Sequence, residues 1–185
     1  MGKLLSPLLI LLLFCGACST VRVSQDYNSE YVFPAGPASY NWNNQLQQDN
    51  SGLLAKDELL AKRFVDTIEI VLENKGFTQS TQPLYLVSCI YNITNKLESD
   101  PLTTGFNFGY GRHGRYGGVG VNSGTYIRQY QEAKLDINIH LSASGQLIWR
   151  GTGTQEVFTH SPPAEKTNNA VELVTSILAQ FPPVK

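Results

Sequence analysis

The sequence predicts an α+β fold with the element order β-α-β-β-β-α. Three observations support this prediction. Two stretches repeat apolar residues every three or four positions, as helices do, several stretches alternate apolar and polar residues, as strands do, and turn-forming residues separate them. Of the 185 residues, 42% are hydrophobic and 16% are charged, so the chain has enough apolar content to bury a core. This length favours a single domain.

The first strands are short. Residues 21–24 read Val-Arg-Val-Ser, an alternation that predicts a half-buried strand. A Pro- and Gly-containing connection leads to residues 39–42, Ser-Tyr-Asn-Trp, where we expect a second strand segment. Residues 43–53 are rich in Asn, Gln, Asp and Ser, which indicates a solvated linker into the first helix.

Two amphipathic helices are predicted, one from about Lys56 to Asn74 and one from about Glu165 to Gln180. Lys75-Gly76 supplies a stop signal for the first helix, and Pro182-Pro183 ends the second. The apolar stripe of the first consists of Leu60, Phe64, Ile68, Val71 and Leu72, and that of the second consists of Ala170, Val171, Val174, Ile177, Leu178 and Phe181.

The remaining strands lie between these helices. Residues 84–94 form the most apolar candidate, with apolar side chains on both faces near its start, which favours a central strand. Residues 135–141 alternate strictly, a turn follows at 143–145, and residues 146–157 return, so this region predicts a β-hairpin. Gly151 and Gly153 in the returning strand indicate a bulge or close packing.

The N-terminus has the pattern of an export signal over residues 1–17. Lys3 precedes a short apolar run at 4–14, and small residues precede Cys18. About 20 apolar residues are needed to span a bilayer, so this run targets the chain rather than anchoring it as a helix. Gly16-Ala17-Cys18 resembles a bacterial lipoprotein lipobox, which implies cleavage before Cys18 and acyl chains on that cysteine. Ser19 then implies the outer membrane, with the domain facing the periplasm.

An alternative interpretation of the N-terminus is an ordinary secretory signal peptide, whose removal gives a soluble periplasmic protein. The spacing Cys15-x-x-Cys18 matches a redox motif, but one cysteine is removed with the signal and the other is acylated, so we interpret the match as accidental. Cys89, the third cysteine, lies in an apolar run, and we expect a buried, inert thiol there.

Several segments together resemble the DUF4136 family of bacterial envelope lipoproteins. The resemblance rests on the lipobox with residues 19–23 and 26–27, the segment 39–42, the helix end at 72–77, the sequence Leu-Ile-Trp-Arg-Gly at 147–151, and the end of the chain at 177–183. It implies a two-layer sandwich, in which helices pack on one face of a mainly antiparallel sheet. It also implies a single domain at 18–185, with no known catalytic residues and no assigned activity. Trp149, Phe181 and Gly76 fit packing and capping positions.

A Gly-rich segment at 105–124 holds half of the chain's 16 glycines. Glycine loses more conformational entropy on folding than any other residue, so we expect a mobile surface loop between two strands. Aromatic and arginine side chains dominate binding surfaces, and the candidate binding residues here are Phe106, Phe108, Tyr110, Arg112, Arg115 and Tyr116. A tolerated low-complexity insertion is the alternative. Residues 109–114 match G-x-G-x-x-G, but the Gly-rich sequence that follows cannot start the helix a dinucleotide site needs.

No catalytic or metal motif is found. The three histidines lie in separate segments without metal-ligand spacing. His140 and Asp136 share the polar face of one predicted strand, but about 13 Å separates residues four apart in a strand. We therefore expect no metal and no cofactor.

The functional expectation is a non-catalytic, lipid-anchored binding or scaffolding protein. Its partners are a membrane, through Cys18, and an unidentified envelope protein or glycan. A net charge of −1 argues against nucleic acid as a partner. The alternative is a periplasmic hydrolase acting on cell-wall or lipid material, which a cleft gathering His140, Asp136 and arginines would favour.

Overall fold

The fold comes from a computed structural model that describes residues 21–34, 36, 38–43, 57–100, 103–111, 114–122, 126–158 and 160–183. Within 99–127 only the backbone of these residues is described. The predicted signal segment, Cys18 and most of the predicted linker lie outside these residues. The elements in chain order are β1 (Arg22–Tyr27), β2 (Ser39–Trp42), α1 (Glu58–Asn74), β3 (Thr78–Gln79), β4 (Tyr85–Asp100), β5 (Thr103–Gly111), β6 (Gly114–Asn122), β7 (Tyr126–Leu141), β8 (Leu147–Val157) and α2 (Pro163–Leu178).

The described strands form one mixed sheet of six, in the order β1-β8-β7-β4-β2-β3, and a separate pair, β5-β6. Neighbours pair antiparallel except around β2, which runs parallel to β3 and β4. Both helices pack on the face that carries Tyr91 and Gly151. Phe64 of α1 contacts the Tyr91 ring, and Ile177 of α2 lies against Gly151. The α+β class and the two-layer arrangement are confirmed.

Helix α1 forms where its apolar period predicts it. The Asp57 side chain caps the N-terminus by accepting a hydrogen bond from the Leu60 backbone N–H, at 3.0 Å. At the other end Gly76 has φ = 86°, the left-handed conformation that ends helices and favours glycine. The buried stripe consists of Leu60, Phe64, Thr67, Ile68 and Leu72. The helix and its stop signal are therefore confirmed.

Helix α2 buries a slightly different stripe from the one predicted. Leu173 is fully buried, whereas Val171 is exposed. Both positions continue an apolar pattern in sequence, but the contact of α2 with α1 and β8 selects Leu173. Phe181, just after the helix, is buried as predicted.

Phe181, near the C-terminal end of the chain, belongs to an aromatic cluster in the core. The Phe181 ring lies 5.0 Å from the Trp149 ring and 5.5 Å from the Phe77 ring, measured between centroids. Trp149 is fully buried, and its Nε1 donates a hydrogen bond to Gln25 Oε1 at 2.9 Å. A buried tryptophan N–H needs such a partner. The predicted packing roles of Trp149 and Phe181 are confirmed.

Close packing explains the two glycines of β8. A Cβ atom added at Gly151 would overlap the Trp149 ring and Ile177, and one added at Gly153 would lie 2.8 Å from Ile177 Cδ1. The missing side chains thus let α2 approach the sheet. Cys89 is buried on the same face, and desolvation raises its thiol pKa to about 12, as expected for an inert core cysteine.

The structure differs from the predicted loop at 105–124, because most of this segment lies in two paired strands. The segment forms β5 and β6, which pair antiparallel from Thr103↔Asn122 to Gly111↔Gly114. On either side, β4 and β7 run far beyond the predicted strands and pair over their whole length, as far as Asp100↔Tyr126. Glycine weakens a strand by leaving nothing to pack, but its N–H and C=O still pair across a ladder.

Candidate functional site

The predicted binding residues fall on the β5–β6 hairpin. Phe106 pairs with Val119, Phe108 with Gly117, and Tyr110 with Arg115 in the backbone register. Tyr116 lies on the same hairpin, opposite Gly109. Arg112 and all of these side chains lie outside what the structure describes, so their role in binding stays a prediction.

A two-stranded ribbon connects this hairpin region to the sheet. Strand β8 stops pairing with β7 at Gln131↔Val157, while β4 and β7 continue from Lys96↔Tyr130 to Asp100↔Tyr126. We call residues 96–100 and 126–130 the ribbon. Leu97, one of its side chains that the structure describes, is 74% exposed. An apolar side chain this exposed on a projecting element is a candidate contact residue.

Charged groups surround the base of the ribbon. Arg128 pairs with Glu156 Oε1 at 2.5 Å and with Glu98 Oε2 at 4.0 Å, and its guanidinium lies 5.6 Å from the Tyr130 ring centroid. These groups are partly exposed, so the ion pairs contribute little to stability. They fix the arginine at the base of the ribbon.

The residues of the alternative catalytic hypothesis lie together on the open face of the sheet, away from the helices. Asp136 accepts from Thr152 Oγ1 at 2.5 Å and pairs with Lys134 Nζ at 2.9 Å. Arg150 Nε donates to Asn138 Oδ1 at 2.7 Å, between Asp136 and His140 along the chain. Within the part of the chain that is described, no hydrogen bond or ion pair joins His140 to Asp136. The hydrolase alternative stays a prediction without a specific observation in its favour.

The surroundings of His140 disfavour its protonated form. Its Nδ1 is buried and has no hydrogen-bond partner among the described atoms. Desolvation lowers its pKa, the positive charge of Arg150 lowers it further, and a hydrogen bond with the Leu86 backbone acts in the opposite direction. In an unfolded chain a histidine has a pKa of about 6.5.

This lowered pKa predicts a loss of stability in mild acid. Above about pH 6.5 His140 is neutral in both states, whereas below it the unfolded chain takes up a proton that the folded domain resists. The melting temperature should therefore fall from pH 7 to pH 5, and His140→Gln should flatten that fall. His160→Gln is the matched control, since that histidine lies in a turn at the surface. Equal pH profiles for wild type and His140→Gln would contradict this account.

A cleft lies at the end of the sandwich from which the ribbon projects. It encloses about 240 Å³ between the N-terminal parts of both helices and the sheet. Most of its lining is apolar or aromatic, as ligand pockets usually are. The lining residues are Asp57, Leu60, Phe64, Tyr91, Ile93, Gln155, Val157, Phe158, Ser161, Lys166, Asn169 and Ala170. We call this the end cleft.

The polar residues of the end cleft include the charged Asp57 and Lys166, and several of the others are engaged in hydrogen bonds. Ser161 Oγ donates to Glu165 Oε1 at 2.8 Å, and Gln155 Nε2 donates to the Asn169 backbone oxygen at 3.4 Å. Gln155 Oε1 is shielded from solvent and has no hydrogen-bond partner within the described ranges of the chain. Burial, followed by the negative charge of Asp57, raises the pKa of Tyr91 to about 12, so its hydroxyl stays protonated.

The N-terminal end of the domain also lies at this end of the sandwich. Strand β1 runs antiparallel to β8, and Arg22, its first residue, pairs with Thr154. Because the two strands are antiparallel, β1 begins at the end of the sheet where β8 finishes, at Val157. The start of β1, the end cleft and the ribbon thus share one end of the fold. Sequence analysis missed the cleft, because no local pattern marks it.

Among the described residues, no three His, Cys, Asp or Glu side chains come together as a possible metal site. Neither helix in the described part of the chain is long and apolar enough to cross a membrane.

Comparison with solved structures finds similar folds at low identity. A PDZ domain protein from Parabacteroides distasonis aligns with a TM-score of 0.51 and 14% identity, over 89% of this chain and 37% of that one. The chain thus spans little more than a third of that protein. A PelC dodecamer from Paraburkholderia phytofirmans aligns with a TM-score of 0.47 and 10% identity, over 89% of this chain and 99% of that one. No curated protein matches the sequence.

A family model also matches most of the chain. The model, described as a domain of unknown function (DUF4136), matches residues 23–183, which include every described helix and strand apart from the first residue of β1. The chain therefore belongs to the DUF4136 family.

Proposed function

We propose that this chain is a lipid-anchored lipoprotein of the bacterial cell envelope whose domain binds another envelope component and catalyses no reaction. Acyl chains on Cys18 hold it to the outer membrane, with the domain facing the periplasm. The partner is an envelope protein or glycan that lies at the same membrane. Confinement to a surface raises the effective concentration of the domain near such a partner.

The observation that carries this proposal is the position of the ribbon relative to the N-terminal end of the domain. Arg22 pairs with Thr154, three residues before the point where β8 ends and only the ribbon continues. An anchor a few residues before Arg22 therefore holds the ribbon close to the membrane. A binding surface at this position meets partners in or on the membrane rather than in the bulk periplasm.

The ribbon itself has features of a recognition element. Strand β2 pairs with the outer edge of β4 only over Tyr85–Val87, and no other described strand pairs with that edge. Side chains from Asn92 to Glu98 are exposed. An exposed strand edge binds partner segments through main-chain hydrogen bonds, and neighbouring side chains then give specificity. The aromatic residues predicted on the β5–β6 hairpin would extend this surface.

Site-specific crosslinking in living cells tests the proposal. A photoreactive amino acid replaces Leu97 in one variant and Val32 in a control variant. The two positions are equally exposed, at 74% and 73%. Val32 follows Tyr31, whose hydroxyl lies 3.2 Å from that of Tyr85 at the start of β4, away from the ribbon. We expect a discrete crosslinked product from position 97, no such product from position 32, and loss of the product when Cys18→Ala is added.

Two results would contradict the proposal. One is the same set of products from positions 97 and 32, which would indicate random collisions. The other is a product from position 97 that persists unchanged with Cys18→Ala, which would show that tethering plays no part in recognition. The melting temperature of each variant, compared with that of the wild type, shows whether the domain is folded.

A further inference from the structure

We infer that the end cleft holds part of an acyl chain of this protein's own lipid anchor whenever that anchor is outside a bilayer. The inference rests on the proposed function, because it needs acyl chains on Cys18. It assigns a ligand class, a saturated hydrocarbon chain, to a site that nothing in the sequence marks.

The walls of the cleft suit hydrocarbon. Leu60 and Phe64 from α1, Val157 from β8 and Ala170 from α2 present apolar groups to the same space. The polar part of the lining, Gln155 Oε1 together with the charged Asp57 and Lys166, does not favour hydrocarbon, so the chain lies along the apolar part of the wall. Removing a hydrocarbon chain from water into such surroundings is favourable in proportion to the apolar area buried.

The volume fits a stretch of acyl chain rather than a whole lipid. An apolar cavity of about 150 Å³ in another protein holds a benzene molecule. The end cleft, at about 240 Å³, is larger but far too small for several complete chains. One chain enters in part, and the exposed side chain of Phe158 at the rim covers some of the remainder.

The distance from the anchor is short enough. Cys18 lies three positions before Val21, the residue before Arg22. An extended chain covers at most about 3.5 Å per position, or roughly 11 Å in all. Arg22 pairs with Thr154, and the next residue of β8, Gln155, belongs to the cleft wall. An acyl chain reaches about 15 Å, half the thickness of a bilayer core. Cys18 can therefore deliver a chain into the cleft while β1 stays in the sheet.

This arrangement has a consequence for the lipoprotein before it reaches its membrane. A chain in the cleft is shielded from water while the protein crosses the periplasm. At the membrane the bilayer offers the same hydrocarbon surroundings. The acyl chain therefore leaves the end cleft and inserts into the bilayer. Because the acyl chain passes from the end cleft into the bilayer, the cleft end of the domain faces the membrane.

Binding of cis-parinaric acid tests the inference. The fluorescence of this polyene fatty acid rises in apolar surroundings. Two forms of the full chain are compared in water: the wild type, with its acyl chains confirmed by intact mass, and Cys18→Ala. We expect Cys18→Ala to bind one probe molecule saturably and the acylated wild type to bind it at least about tenfold more weakly, because its cleft is already occupied.

A matched pair of substitutions locates the probe. Ile93→Asp places a charge at the cleft rim, where the residue is 36% exposed, and Leu84→Asp places the same charge just before the start of β4, where the residue is 41% exposed and does not line the cleft. Both are introduced into the Cys18→Ala chain. We expect Ile93→Asp to weaken probe binding about tenfold, since a charge at an apolar site costs free energy, and Leu84→Asp to leave it unchanged.

Each other outcome overturns the inference in a distinguishable way. Equal probe binding by the acylated wild type and Cys18→Ala means that the anchor does not occupy the cleft. Equal effects of Ile93→Asp and Leu84→Asp, or no saturable binding, mean that the cleft is not an acyl site. An intact mass without acyl chains removes the proposed function as well, and it is seen before any probe is added.

Discussion

Gly151→Val is expected to destabilise the domain by about 3 kcal/mol, the upper part of the range for overpacked cores. A new Cβ at this position would overlap the Trp149 ring and Ile177, both of them fully buried. Neither neighbour can turn toward solvent, so either α2 or the strand has to shift. For a domain of this size the melting temperature should fall by roughly 10 °C.

Crowding is the only reason to expect this loss. Valine favours strands, and replacing glycine restricts the unfolded chain, so both intrinsic effects favour the variant. Gly36→Val is the control, because nothing lies within 4 Å of a Cβ at that position. It should change stability by less than about 0.5 kcal/mol. Adding Ile177→Ala to Gly151→Val removes one of the two overlaps, so the double variant should lose less stability than the sum of the two single losses. An unchanged melting temperature for Gly151→Val would contradict the close packing of α2 on β8.

The second large effect is expected at the anchor. Cells fed a palmitate analogue should label the wild-type chain, and Cys18→Ala should abolish that label completely. The physical reason is that the N-terminal cysteine left by lipobox cleavage carries the acyl chains, and several acyl chains give stable membrane attachment whereas one gives only marginal binding.

The chain offers two matched controls for this result, because it contains three cysteines. Cys15→Ala should keep the label, since the proposed cleavage before Cys18 removes that residue. Cys89→Ala should also keep it, since the Cys89 thiol is buried in the core and its pKa is raised to about 12. Label that persists in Cys18→Ala and disappears in Cys15→Ala would move the anchor to a different residue.

The sequence predicts the helices and the central hairpin because each has a strong local period. In α1, Leu60, Phe64, Ile68 and Leu72 recur every four residues, and the structure buries all four. Lys75-Gly76 ends the helix through a positive φ that glycine adopts without strain. The alternation at 135–141 corresponds to the half of β7 that lies between β4 and β8, where every second residue faces the helices.

The extension of this hairpin is harder to predict. In the segment 105–124 the glycine content suggests a loop, yet Phe106, Phe108 and Tyr110 alternate with other residues at the period of a strand. That alternation is the signal that could have identified β5. The outer halves of β4 and β7 are mostly polar, with scattered apolar residues such as Ile93, Leu97 and Ile127. They pair because the chain returns antiparallel along itself, and no hydrophobic period marks such a ribbon.

The end cleft has no local signature at all. Its walls come from α1, β4, β8, α2 and the connection between the last two. Leu60 and Ala170, for example, belong to two different apolar stripes, and each is explained by helix packing alone. The cleft arises because the helices leave a space over one end of the sheet, and only the three-dimensional arrangement shows it.

The central claim is that this domain works while acyl chains on Cys18 hold it to a membrane, and the intact mass of the protein extracted from membranes tests it most directly. The account predicts the mass of residues 18–185 plus the mass of the acyl chains. A chain cleaved at another position and carrying no acyl mass would contradict it.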